Sequence, residues 1–148
     1  MKEDGDDGDP RPIGVLICDD NAPMRSVLRD VIALRPSLCV VGEAADGDEV
    51  IREAELLQPD IILLDLAMPN RTGLEALPKL NEVAPSAKVI VLSSFSSAGV
   101  AASAIALGAA LCLVKGVSPD AINDAIEAVQ AERLLRSVPI SAGRAPVV

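Results

Sequence analysis

Five short apolar runs recur along the chain, each separated from the next by a helix-like segment, and this alternation limits the possible fold more than any other feature. The runs are IGVLIC (13–18), LCVVGE (38–43), IILLDL (61–66), KVIVLS (88–93) and ALCLV (110–114), and the segments between and after them cover 22–34, 48–57, 74–83, 97–107 and 119–134. Each run has strand length, is aliphatic or β-branched, and is apolar along its whole length. Such strands must be covered on both faces, and right-handed helical crossovers supply the cover. The pattern predicts a doubly wound α/β domain with a parallel sheet. Ser118, Pro119 and Asp120 make a good start for the last helix: a capping hydroxyl, a first-turn proline and an acid that complements the dipole.

The alternation spans 13–134, and the 148 residues fit a single domain. Residues 1–12 are acidic and rich in Gly and Pro, with too little apolar surface to repay ordering, so a flexible tail is expected there. The period is lost again over 135–148, which is expected to be an irregular C-terminal tail. A net charge of -9 argues against binding phosphate backbones or anionic membranes. Cys18, Cys39 and Cys112 lie inside apolar runs without metal-ligand spacing and read as small buried hydrophobes suited to a reducing cytoplasm. The hydrophilic N-terminus does not read as a secretory signal.

In a doubly wound sheet, ligands bind beyond the carboxyl ends of the strands. The first strand ends at Asp19 and Asp20, the third at Asp65, the fourth at Ser93 and Ser94, and the fifth at Lys115. Asp19, Asp20 and Asn21 could merely cap the following helix, Ser93 could be a loop hydroxyl and Lys115 a solvated charge; their joint placement on one rim points to a site instead. Asp65 interrupts an apolar strand, where a carboxylate gains nothing unless paired. Three converging carboxylates repel by about 1 kcal/mol per pair in water and several-fold more near a protein surface. A divalent cation removes that repulsion. With oxygen ligands and no His in the chain, the natural candidate is Mg²⁺. Such a group has the parts for phosphoryl transfer: Asp65 as nucleophile, the cation and Lys115 neutralising the transferring oxygens, and Ser93 donating a hydrogen bond.

With ICDDN, LLDLAMPNRTGLE, VLSS and GAALCLVKGVSPDAI in this order, the sequence resembles the CheY-like receiver domain of two-component response regulators over roughly 13–132, closest to the NarL/FixJ/LuxR-type branch. The resemblance implies a flavodoxin-like sheet of order 2-1-3-4-5 with five helices, a receiver domain at 13–134, and a signalling protein rather than an enzyme beyond its own phosphoryl transfer. It implies phosphorylation of Asp65, usually by a histidine kinase and alternatively by a small phosphodonor. It also implies Mg²⁺ held directly by Asp20, Asp65 and the backbone carbonyl of Ala67, Asp19 acting mainly through water, and Ser93 and Lys115 contacting the phosphoryl group.

Three features depart from the family pattern. Cys112 stands where Tyr or Phe is usual, so the rotating-aromatic part of the switch is missing. Gly116 replaces a proline that often forms a cis bond, and an ordinary trans bond is expected. Ala67 and Phe95, two residues beyond Asp65 and Ser93, cannot position a water, so self-dephosphorylation should be slow. The missing aromatic leaves room for an alternative, a degenerate receiver acting as a phosphorylation-independent interaction module. A phosphohydrolase would need an acid where Ala67 stands. Direct DNA binding is not expected, given the charge and the short stretch after the last helix.

From Val89 to Val114 there is no charged residue. Ser and Gly break this run, so it does not read as a membrane span. Either this fourth-helix and fifth-strand face docks a downstream partner or a second copy, or the helix is Ala-rich because it is more covered than most.

Overall fold

The computed structural model describes residues 11–68, 71–94 and 98–137. The N-terminal tail up to residue 10, Phe95 and the tail from residue 138 lie outside the described residues. Ten elements alternate: β1 (Ile13–Cys18), α1 (Ala22–Ala33), β2 (Leu38–Ala44), α2 (Gly47–Leu57), β3 (Ile61–Asp65), α3 (Gly73–Val83), β4 (Lys88–Ser93), α4 (Ala98–Ala106), β5 (Leu111–Val114) and α5 (Pro119–Ser137). All strand pairs are parallel, and the sheet order is β2-β1-β3-β4-β5, as the family resemblance implied.

Strand periodicity divides the core in two. Leu16, Ile62, Leu64, Val89 and Val91 pack on the side of Val50 and Ala54 from α2, Ala76, Leu77 and Leu80 from α3, and Ala104 from α4. Val15, Ile17, Ile61, Leu63, Ile90 and Leu92 face Leu28, Val31 and Ile32 from α1 and Ile122 and Ile126 from α5. Both faces are closed, which explains why the central strands carry no polar alternation. The core is almost wholly aliphatic.

Local signals set the helix starts. Asn21 caps α1 by accepting from the Met24 amide at 2.9 Å, and Asp46 caps α2 by accepting from Glu49 at 2.8 Å. Thr72 and Glu75 form a reciprocal capping box at α3, while Ser118 accepts from the Ala121 amide at 3.1 Å, as its sequence context suggested. At its far end α5 runs three residues beyond the expected boundary at 134: Leu135, Arg136 and Ser137 carry no stop signal, and the first proline beyond them is Pro139. Of the cysteines, Cys18 is buried as expected, whereas Cys39 and Cys112 are only partly covered, because each lies on an edge strand of the sheet. In the uncharged helix α4, Ala104 is fully buried against the sheet while Ile105 and, just past the helix end, Leu107 remain exposed, so the helix is partly core and partly apolar surface. Among the described residues no helix is long and apolar enough to cross a membrane.

Candidate functional site

The strand order reverses at β1, whose neighbours are β2 on one side and β3 on the other. At such a reversal the connecting segments leave toward opposite faces and open a crevice beyond the carboxyl ends. Asp19 and Asp20 follow β1 there, and Asp65 ends β3. One carboxylate oxygen from each of the three lies within 4.8 Å of the others. Asp19 and Asp65 are buried, and Asp20 is exposed at the mouth.

Lys115 enters from the end of β5, its Nζ 3.1 Å from Asp19 Oδ2 and 3.2 Å from Asp65 Oδ1. Its backbone amide donates to the Ser93 carbonyl at 2.7 Å, so the ends of β4 and β5 are tied together and the buried Ser93 sits beside the lysine in the chain fold. The Ala67 amide donates to Asp65 Oδ1 at 3.2 Å, and the Asn21 amide donates to Asp19 Oδ1 at 2.9 Å. Asn21, and not the acid pair, is therefore the helix cap, and both acids are left for other work. The five side chains singled out in the sequence share one rim, and Gly116 turns the chain away after Lys115 with φ +100. No cis peptide bond occurs among the described residues.

The charges explain the electrostatics. Burial raises the Asp65 pKa above the ordinary carboxylate value, the nearby Asp19 charge raises it further, and the Lys115 ammonium and Ala67 amide pull it back. For Lys115, burial acts downward, but the hydrogen bond and charge of Asp19 and those of Asp65 outweigh it and leave the ammonium strengthened. Three carboxylates against one ammonium leave two negative charges uncompensated, the amount one divalent cation cancels. The nearby Cys18 thiol is pushed strongly upward, first by burial and then by Asp65 and Asp19, and it faces Met68 Sδ at 3.2 Å. It stays a protonated thiol, so the donor set is oxygen only, which suits a hard ion.

Three contributors were not evident in the sequence. Arg25 Nη1 donates to the Asp19 carbonyl at 2.6 Å, and its Nε donates to Glu43 Oε1 at 3.0 Å; Arg29 reaches the other Glu43 oxygen at 2.5 Å. The only sequence signal was Arg25, a basic residue near the start of a helix, where the dipole disfavours it.

The sequence pattern of the response regulator receiver domain matches residues 15–127. The chain is 36% identical over 126 residues to the nitrate/nitrite response regulator protein NarL of Escherichia coli K12, an alignment covering 85% of this chain and 58% of NarL. The chain thus spans a little over half of that relative's length. Among solved structures, a LuxR-family two-component response regulator from Aurantimonas sp. SI85-9A1 superposes with a TM-score of 0.79 at 30% identity, covering 83% of this chain and 88% of the other. A chain in the CheX-CheY-BeF3-Mg²⁺ complex from Borrelia burgdorferi superposes with a TM-score of 0.75 at 25% identity, covering 80% and 89% respectively.

Proposed function

The chain belongs to the response regulator receiver domain family of two-component signalling, and from that premise we propose that it is a phosphorylation-dependent switch in which Asp65 accepts a phosphoryl group from a histidine kinase with Mg²⁺ bound. The observation that carries this reading is the convergence of Asp19, Asp20 and Asp65 around an oxygen-only, doubly negative crevice with Lys115 at its wall. A similar chain, taken from B. burgdorferi, has been solved in a complex containing BeF3 and Mg²⁺. Asp20, Asp65 and the backbone carbonyl of Ala67 would hold the ion directly and Asp19 mainly through water, and the ion would supply charge neutralisation for the transferring phosphoryl oxygens.

The remaining chemistry belongs to the side chains. An oxygen of the Asp65 carboxylate attacks phosphorus, the P–N bond of a phosphohistidine breaks, and its electron pair goes to the imidazole nitrogen, which takes up a proton. Lys115 exchanges its contact with Asp65 for the phosphoryl oxygens, acting as a point charge on a long stem. Ser93 donates its hydroxyl to a phosphoryl oxygen and draws in the end of β4. Ala67 can hold no attacking water, so the acyl phosphate decays slowly. Output passes through the α4 and β5 face, where Ile105, Leu107 and Val114 are exposed, to a downstream partner or a second copy.

The test is incubation with Mg²⁺ and a small acyl phosphate donor, read by intact mass. The natural protein should gain one phosphoryl group and Asp65→Asn none. A natural protein that gains nothing, or an Asp65→Asn protein that gains as much, would refute the reading.

A further inference from the structure

Resting on the reading of Asp19 and Asp20 as metal ligands, we propose that Arg25 is a positioning residue for this acid pair and that Glu43 holds it in place. Arg25 sits in the first turn of α1, its amide donating to the carbonyl of the cap Asn21 at 3.0 Å. The helix dipole disfavours a cation at that end. Helical side chains lean toward the helix N-terminus, so this one runs back over the end of β1. There Nη1 donates to the carbonyl oxygen of Asp19 at 2.6 Å.

That oxygen belongs to the peptide unit joining Asp19 to Asp20. The unit is planar, so fixing its oxygen sets the direction in which the chain leaves toward Asp20. Asp19 has other anchors: its amide donates to Ala44 at 3.1 Å, and its carboxylate takes the Asn21 amide at 2.9 Å and Lys115 at 3.1 Å. The exposed Asp20 carboxylate has no hydrogen-bond or ion-pair partner among the described residues. Its aim must come from its backbone, whose flanking peptide units are held at the Asn21 amide by the Asp19 carboxylate and at the Asp19 carbonyl oxygen by Arg25, the one of the two that a side chain from outside the loop supplies.

An arginine can serve two acceptors at once through its planar fork, and the second acceptor here is Glu43 on β2 at 3.0 Å. Arg29, one turn further along α1, grips the other oxygen of Glu43 at 2.5 Å, so the carboxylate that orients Arg25 is itself oriented. The triad links α1 to β2, and its far end touches the metal-binding loop. Support of this kind, one bond removed from the ligands, tunes metal affinity.

The experiment measures the rate of phosphorylation by a small acyl phosphate donor against Mg²⁺ concentration, with Mg²⁺ affinity measured separately by calorimetry, for the natural protein, Arg25→Met, Arg25→Lys and Glu43→Gln. Arg25→Met should require about tenfold more Mg²⁺ for half the maximal rate, yet reach the natural rate within about twofold once saturated. Arg25→Lys, which can still reach the Asp19 carbonyl, should recover part of the affinity, and Glu43→Gln should shift it in the same direction by less. If Arg25→Met does not fold, the Glu43→Gln shift decides. An unchanged Mg²⁺ demand, or a rate that stays low at saturation, overturns the positioning role while the natural protein still takes up phosphate. A natural protein that binds no Mg²⁺ and gains no phosphate overturns the functional reading and the positioning role with it.

Discussion

Asp65 combines two penalties, burial and a neighbouring like charge at Asp19, and Lys115 only partly offsets them. In metal-free buffer, Asp65→Asn should therefore raise stability by about 1 kcal/mol, because a neutral amide of the same shape removes the repulsion while Lys115 keeps Asp19. Urea unfolding checks the sign; a destabilised variant would mean that the Lys115 pair outweighs the repulsion. Glu43 behaves oppositely. The hydrogen bond from Arg29 holds its pKa below the ordinary value against burial, and Arg25 adds to that effect. Its folded-state pKa is depressed, so its contribution is complete above the ordinary glutamate range and is lost as pH falls through the lowered value. Glu43→Gln should cost about 0.5–1 kcal/mol at neutral pH, a modest figure because the pair is partly solvated, and the difference from the natural protein should close in acid. Denaturation midpoints across a pH series read this directly.

The elements owe their relative placement to two close approaches beside the site. A Cβ on Gly73 would lie 2.3 Å from the Asp65 carbonyl oxygen and 2.8 Å from Leu66 Cα, so the start of α3 can lie against the end of β3 only without a side chain. Gly73→Ala should destabilise by about 1–3 kcal/mol and slow phosphorylation by displacing Asp65, which unfolding and the mass assay would show together. Gly47 plays the same part at the start of α2, where a Cβ would meet the Arg71 carbonyl at 2.1 Å, and the Arg71 to Asp48 ion pair at 2.9 Å spans the same junction. Helix α4 divides by face. Ala104→Glu would bury a lone charge and should unfold the protein or cost about 3–5 kcal/mol, whereas Ile105→Glu on the exposed side should change stability by no more than about 0.5 kcal/mol. Light scattering on Ile105→Glu, with and without phosphorylation, then reports on docking separately from folding; unchanged association would remove the docking role of that face.

For the whole molecule, a ligand that binds only the folded state stabilises it by mass action, so Mg²⁺ at about 100 times its dissociation constant should add about 2.7 kcal/mol. A chelator should reverse the gain, and Asp65→Asn should show little of it in thermal unfolding at matched ionic strength. How much of this was legible beforehand differs from element to element. The strands were readable because both sheet faces are closed, which forces uninterrupted apolar runs such as IILL; the acids and the lysine were readable because they break or end those runs. Helix ends were less so: α5 outran its expected end because its sequence lacks a stop before Pro139, and the uncharged α4 left a docking face and a covered helix both open, which the buried Ala104 and the exposed Ile105 divide by face. The sequence by itself determined the alternation, the sheet class and the rim on which Asp19, Asp20, Asp65, Ser93 and Lys115 lie, since these follow from periodicity and chain order. Only the tertiary structure decided that Arg25 reaches the Asp19 carbonyl, that Glu43 and Arg29 brace it, and that Gly73 must lack a side chain. These are contacts between elements whose separation is set by packing, and no local pattern along the chain encodes such distances.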